Sequence, residues 1–218
     1  MAKKKTVSKN DIITFYMDYV LEHDHDPKTV FAFAKMNNFD EAKFYEYFAS
    51  FEAIEKGIFE AFFTNSVNAL NKSEDYKIFD ARNKLLSFYY TFFENLTANR
   101  SYVKHVLDKY KGEFKGLKIL SGLKQHFTHY VSELGIQMLD IKQDQLEKIQ
   151  DRALKESAWL QLLLTMKFWL DDTSASFEKT DIFIEKSVNT TFDVLDIAPL
   201  KSVIDLGKFL FKEKFQMN

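Results

Sequence analysis

Apolar side chains return at helical spacing along most of this chain, and the breaks between those runs mark the elements. Ile12, Ile13, Phe15, Tyr16, Tyr19 and Val20 recur in this way, with Ser8 and Asn10 offering N-cap oxygens, so the pattern predicts a first helix from Ser8 to about His23. His23-Asp24-His25-Asp26-Pro27 interrupts it, because proline disfavours helix in the residue before it and suits a first helical turn. A second helix is predicted from about Pro27 to Met36, with Val30, Phe33 and Ala34 on one face. Asn37-Asn38 reads as a turn, since asparagine tolerates the left-handed conformation. Asp40 is expected to cap a third helix, about Asp40 to Phe48, edged by Phe44, Tyr45 and Phe48. A fourth runs from about Phe51 to Leu70, with Glu52 in its electropositive first turn.

Beyond Leu70 the pattern predicts a polar connector over Asn71 to Tyr76, then an apolar helix from Asp80 to Ala98. Further helices follow at about Ser101–Tyr110, Glu113–Leu134 and Lys142–Leu170, the last of them long and central. Asp171 to Ala175 breaks the chain before a helix over Ser176–Leu195, and Pro199 opens a terminal helix ending near Lys214.

Composition sharpens this all-α picture. With 218 residues the chain suffices for one large or two modest domains, and two prolines and six glycines signal few turns. An all-β chain would need far more. There is no cysteine, which excludes a disulfide framework, thiolate catalysis and thiolate metal sites and fits a reducing cytosol. Met1-Ala2-Lys3-Lys4-Lys5 is followed by no apolar stretch of the kind a signal peptide carries, and the most apolar run, Ala158 to Leu170, is short and broken by Gln161, Thr165 and Lys167. A soluble cytoplasmic protein without a membrane span is expected. Twenty-three phenylalanines and ten tyrosines exceed what an ordinary helical core requires, so they either pack a core or wall an apolar cavity.

The stretch Thr29 to Asp40, followed by Ala42 to Glu52, resembles the helix-turn-helix of TetR-family (TetR/AcrR-like) transcriptional regulators. Thr29, Phe33-Ala34, Phe39, Tyr45, Phe48, Ser50 and Glu52 hold the family's places, and Phe168-Trp169-Leu170-Asp171-Asp172 with Phe177 resembles a later part of the same family. Two departures stand out. Phe51 occupies the place where the family commonly has a lysine, and Asn38 the place of the turn glycine.

The resemblance implies a TetR-like all-α fold of about nine to ten helices. A helix-turn-helix domain would occupy residues 1–50, with a basic arm over 1–9, and a ligand-binding and dimerisation domain residues 51–218. It implies that Glu41, Ala42, Lys43 and Glu46 lie at positions that read double-stranded DNA, and that Thr29, Tyr45 and Tyr47 lie at phosphate-contact positions. Lys3, Lys4 and Lys5 would add charge from the arm. Electrostatics pulls the other way, because Ser8 to Ser50 holds four lysines (Lys9, Lys28, Lys35, Lys43) against eight carboxylates (Asp11, Asp18, Glu22, Asp24, Asp26, Asp40, Glu41, Glu46), a net charge of −4. Affinity for duplex DNA comes largely from counterion release by Lys and Arg, so an acidic head is at a disadvantage. A plain alternative stays open, in which Phe44, Tyr45, Tyr47 and Phe48 only pack a three-helix core.

For a small apolar effector the candidate chamber is Phe88, Tyr89, Phe92 and Phe93 with Phe127, Tyr130, Trp159, Leu163 and Met166, although helically spaced aromatics can equally just fill a core. A homodimer is expected through the last part of the long helix and the one after it, with Trp169, Ile182, Phe183, Val188, Phe192 and Leu195 as its apolar face. Packing of that face against the terminal helix of the same chain is the alternative.

Signals of chemistry are weak. His126 and His129 lie three apart on one helix with no third ligand at matching spacing, His23 and His25 sit in an aspartate-rich loop, and His105 has no obvious partner. Gly-rich phosphate loops, the Gly-x-Ser-x-Gly elbow and His-Glu-x-x-His are absent, so neither enzyme, metal nor cofactor is expected. The reading reached from sequence is a ligand-responsive, DNA-binding regulator, a repressor, whose apolar effector controls the spacing of two heads. Its alternative is a TetR-fold protein without DNA binding that binds or presents a lipid or isoprenoid-like molecule.

Overall fold

The computed structural model describes residues 7–110, 118–136 and 144–196. Among these residues every regular element is helical: ten α-helices and one 3₁₀ turn, without a strand. The elements are α1 (Lys9–His23), α2 (Val30–Met36), α3 (Glu41–Tyr45), α4 (Phe51–Leu70), α5 (Glu74–Ile78), α6 (Ala81–Ala98), α7 (Arg100–Lys109), α8 (Ser121–Glu133), α9 (Asp144–Asp171), the 3₁₀ turn Ala175–Phe177 and α10 (Glu178–Asp196). Lys3, Lys4 and Lys5 of the expected arm, the first part of the helix expected over Glu113–Leu134 and the terminal helix expected over Pro199–Lys214 lie outside the described residues.

Local chemistry sets the helix ends. Ser8 and Asp11 form a capping box, the Ser8 hydroxyl accepting from the Asp11 N–H while the Asp11 carboxylate accepts from the Ser8 N–H at 2.8 Å. α1 stops at Asp24, which is left-handed with φ 58° and returns its N–H to the Val20 carbonyl. α2 begins later than the Pro27 start predicted from sequence. Thr29 is extended (φ −147°) and its hydroxyl accepts from the Ala32 N–H at 3.1 Å, so the cap fixes Val30 as the first helical residue. Asp40 stands at the N-cap of α3 without a side-chain cap bond, and α3 is shorter than expected, ending at Tyr45. The polar connector expected over Asn71 to Tyr76 contains the start of α5, capped by Ser73. Nor does the final described helix begin at Ser176. Ser176 and Phe177 both have positive φ (52° and 59°), and α10 starts at Glu178.

The described chain forms two compact units. One comprises residues 7–69 with 91–110 and 118–127, the other residues 70–90 with 128–136 and 144–196. In the first unit, α1, α2 and α3 close on a shared aromatic core. Phe33 meets Phe39, Phe44 and Phe51 edge-on at 5.7, 6.2 and 5.8 Å, and Tyr16 stacks on Phe51 at 5.5 Å. Aromatic pairs of this kind add roughly 0.5–1.5 kcal/mol each beyond their burial. Phe51, which replaces the lysine common in the resembling family, therefore serves the core, tying α4 into the three-helix head. In the second unit, α9 and α10 pack along their length. Trp169, Met166, Leu162, Ile184 and Val188 are buried there, and Gln161 reaches both Ser187 and Thr191.

Candidate nucleic-acid interface, aromatic core and pairing face

The turn between α2 and α3 is built on Asn38, at φ 56°. Asparagine is among the few residues with a side chain that visit this region at modest cost, so it substitutes for glycine here. The Phe39 N–H returns to the Ala34 carbonyl at 3.0 Å, and Phe39 itself is buried. α3 then runs with Phe44 wholly buried as its anchor, while Ala42, Tyr45, Glu46 and Tyr47 are exposed and Glu41 half-buried. Phe44 and Phe48 thus pack the core, whereas Tyr45 (54% exposed) and Tyr47 (38%) do not. Those two large rings face solvent with Phe31 (60% exposed) from α2, beside a concavity of about 520 Å³ lined by Phe31, Asn38, Phe39, Glu41 and Ala42. Thr29, exposed, is engaged as the α2 cap.

Lys43 is the one lysine within α3, and it is held locally. Its ammonium donates to Glu46 and lies 5.1 Å from the Tyr47 ring, and the Glu46 hydrogen bond raises its pKa above the ordinary lysine value. Exposed pairs of this kind add little net stability. Lys9, the described end of the arm, lies 5.5 Å from the Phe48 ring.

The nine expected chamber residues divide between the two units. Phe92, Phe93 and Phe127 belong to the first, and Phe88, Tyr89, Tyr130, Trp159, Leu163 and Met166 to the second. All are buried except Leu163, which is half-buried. In the second unit Phe88 packs on Tyr130 at 4.9 Å and on Tyr89 at 6.1 Å. Tyr130 donates to the Lys84 carbonyl at 3.0 Å, which leaves its oxygen to accept from Tyr76 at 2.7 Å. Burial, the largest influence on each, pushes the Tyr89 and Tyr130 phenols far above their ordinary pKa, so both remain neutral. Tyr76 escaped the sequence reading because it stood in a segment taken as connector. Its position two residues before Ile78 gave no periodicity to find.

The expected pairing face is two-layered. Trp169 and Val188 are fully buried within their own chain, Trp169 beside Phe177 at 6.3 Å. Ile182 is 49% exposed, and Phe183, Phe192 and Leu195 are half-buried. Exposed Leu160, Leu164 and Phe168 of α9 extend this surface, with Phe168 stacked on Phe183 at 4.6 Å. Grooves of about 580 and 560 Å³ run beside that stacked pair. Phe192 is also covered by the Arg82 guanidinium at 5.3 Å, and Arg82 pairs with Asp193 at 2.8 Å.

The histidines are occupied locally. His23 stacks on Tyr19 at 4.1 Å, His126 on Phe63 at 5.6 Å, and His129 lies 3.3 Å from Glu133. His105, which had no partner in the sequence reading, lies 3.1 Å from Asp24. Glu55 was missed as well. It is 1% exposed on α4, one residue after buried Ile54 and four before buried Phe59, and that register on an apolar face was the signal that could have found it. Among the described residues no group of three or more metal-ligating side chains converges, and no helix is long and apolar enough to cross a membrane.

The described residues define the class of all-α proteins, with α1, α2 and α3 packed on the start of α4. Residues 84–210, more than half of the chain, match the family of tetracycline repressor-like C-terminal domains. The chain therefore belongs to the TetR family of transcriptional regulators. No curated protein matches it.

Proposed function

We propose that the protein is a homodimeric, ligand-responsive repressor in which α3 reads double-stranded DNA and an apolar effector changes the spacing of the two heads. The observation that carries this reading is the outward face of α3 and of the turn that follows it, with Ala42, Tyr45, Glu46 and Tyr47 exposed around one buried anchor, Phe44. In the major groove, alanine suits a thymine methyl and glutamate accepts from the cytosine amino group, while tyrosine hydroxyls and the Thr29 segment suit phosphates. Residues 1–50 act as the head, the remainder as the ligand-binding and pairing body. The protein supplies no catalysis and needs no cofactor in this role.

Switching follows from dimer geometry. Two half-sites are read about one helical turn apart (~34–36 Å), so an effector among the buried aromatics that tilts α4 removes simultaneous contact. An unchanged separation of the heads in free and liganded dimers would reject this switch. Capture of genomic fragments followed by footprinting tests the DNA claim: a protected two-fold site, lost in a Tyr45→Ala and Glu46→Ala double variant, is expected. Protection that survives the double variant would move the reading surface elsewhere.

A second reading rests on the −4 charge of residues 8–50 and on Lys43 being tied to Glu46. In it the head is retained as scaffold and the protein carries or presents a lipid or isoprenoid-like molecule. Mass spectrometry of material co-purified with the protein names the ligand class under either reading.

A further inference from the structure

A cluster of charged and phenolic side chains in the first unit lies away from α3. α7 aligns Tyr102, His105 and Lys109 along one face, as residues three and four apart do on a helix. Against that face stands the corner between α1 and α2. His105 Nδ1 lies 3.1 Å from Asp24 Oδ1, Lys109 Nζ donates to Asp26 Oδ2 at 2.7 Å, and the Tyr102 ring meets Tyr16 edge-on at 6.4 Å. Lys109 Nζ also donates to Glu55 Oε1 of α4 at 2.9 Å. One lysine therefore joins the corner of the head, the helix that carries the head, and α7.

Proton counting shows why the lysine matters. The Tyr16 hydroxyl stands 2.8 Å from Asp26 Oδ1 and 3.1 Å from Glu55 Oε1, but it has one proton to give. Tyr110 donates to Glu55 Oε2 at 2.7 Å. Lys109 is the cation that meets both carboxylates at once. Burial works against its charge, yet the hydrogen bonds to Asp26 and Glu55 outweigh burial and hold the ammonium above the ordinary lysine range, so it stays charged. Breaking such a pair by removing one partner leaves a buried carboxylate uncompensated, which is strongly destabilising.

We propose that Lys109 is a positioning residue for the head: it latches the α1–α2 corner and α4 to the last turn of α7, so that withdrawal of α7 frees the head. The regulatory meaning of the latch rests on the DNA-reading assignment above. The latch itself does not.

Hydrogen exchange on the full chain, read by mass spectrometry, tests it. Lys109→Met is expected to speed exchange over residues 9–36 by at least about tenfold while residues 121–133 keep their rate. Lys109→Arg should retain wild-type protection. The proposal is overturned if Lys109→Met leaves residues 9–36 unchanged, if both segments accelerate equally, or if Lys109→Arg exchanges as fast as Lys109→Met. Should Lys109→Met not fold, Tyr110→Phe keeps every charge and removes one donor to Glu55. A smaller acceleration confined to residues 9–36 then supports the latch, and none overturns it. Absence of DNA binding would remove the reading-head assignment and leave this exchange pattern intact, so the two failures are told apart.

Discussion

Asn38 and Asp172 each carry a local demand that a substitution can read. Asn38 holds a left-handed turn immediately before α3, with φ 56°, so replacing it by glycine removes a small conformational penalty and replacing it by a β-branched residue adds one. Asn38→Gly is expected to raise unfolding stability by up to ~1 kcal/mol and Asn38→Val to lower it by about 1–2 kcal/mol in urea denaturation. Stability of the valine variant equal to wild type would show that the turn is not confined to that conformation. Asp172 is the second. Its carboxylate accepts from the backbone and hydroxyl of both Ser174 and Thr180, at 2.6 to 2.9 Å. Burial opposes its charge, but the bonds from Thr180 and Ser174 outweigh burial and hold the carboxyl well below the usual carboxylate range. A depressed folded pKa contributes stability above the unfolded value, and that contribution is lost as pH falls from there toward the folded one. Thermal stability should therefore decline below about pH 4, and Asp172→Asn should flatten that part of the profile. Parallel acid slopes in the two proteins would contradict this.

At the scale of elements, α4 packs against the three short helices before it because its sequence leaves room for Phe48. Gly57 faces Phe48, and a Cβ there would come within 2.9 Å of the buried ring. Gly57→Ala gains about 1 kcal/mol of helix propensity but overpacks a closed contact, which costs about 1–3 kcal/mol. A net loss of roughly 1 kcal/mol is expected, and a stabilised variant would mean that Phe48 moves freely. Gly122→Ala is a control, since the obstacle there is the exchangeable carboxylate end of Glu60. Periodicity made α1, α4, α6 and α9 legible, because long runs such as Phe51–Leu70 carry enough repeats to fix face and length. The ends were harder. A threonine at position 29 can cap or continue a helix, and its extended backbone decided for the cap. Five-residue elements such as α3 and α5 are too short for a period to register.

For the whole molecule, the all-α plan was legible in the sequence, whereas the choice between a packed and an outward position for Tyr45 and Tyr47 was not, and both are exposed. Which aromatics belong together was not legible either, because periodicity gives a helix its buried face but not the neighbour that covers it. The contact of Lys109 with Asp26, 83 residues earlier in sequence, is of the same kind: no local pattern encodes it. Assembly is expected to depend on the exposed pair Phe168 and Ile182. If the chain pairs through this face as proposed, Phe168→Glu with Ile182→Glu halves the mass found by sedimentation equilibrium, with helicity unchanged. A variant that stays dimeric would place the interface on another face.

The claim that α3 reads DNA is tested most directly by fluorescence anisotropy of the protein on its selected operator across a salt series. The account predicts tight binding at low salt, with log K falling linearly against log salt at a slope of about −0.9 per neutralised phosphate, and much weaker binding to scrambled duplex. Equal affinity for operator and scrambled duplex, or no binding at any salt, would contradict it.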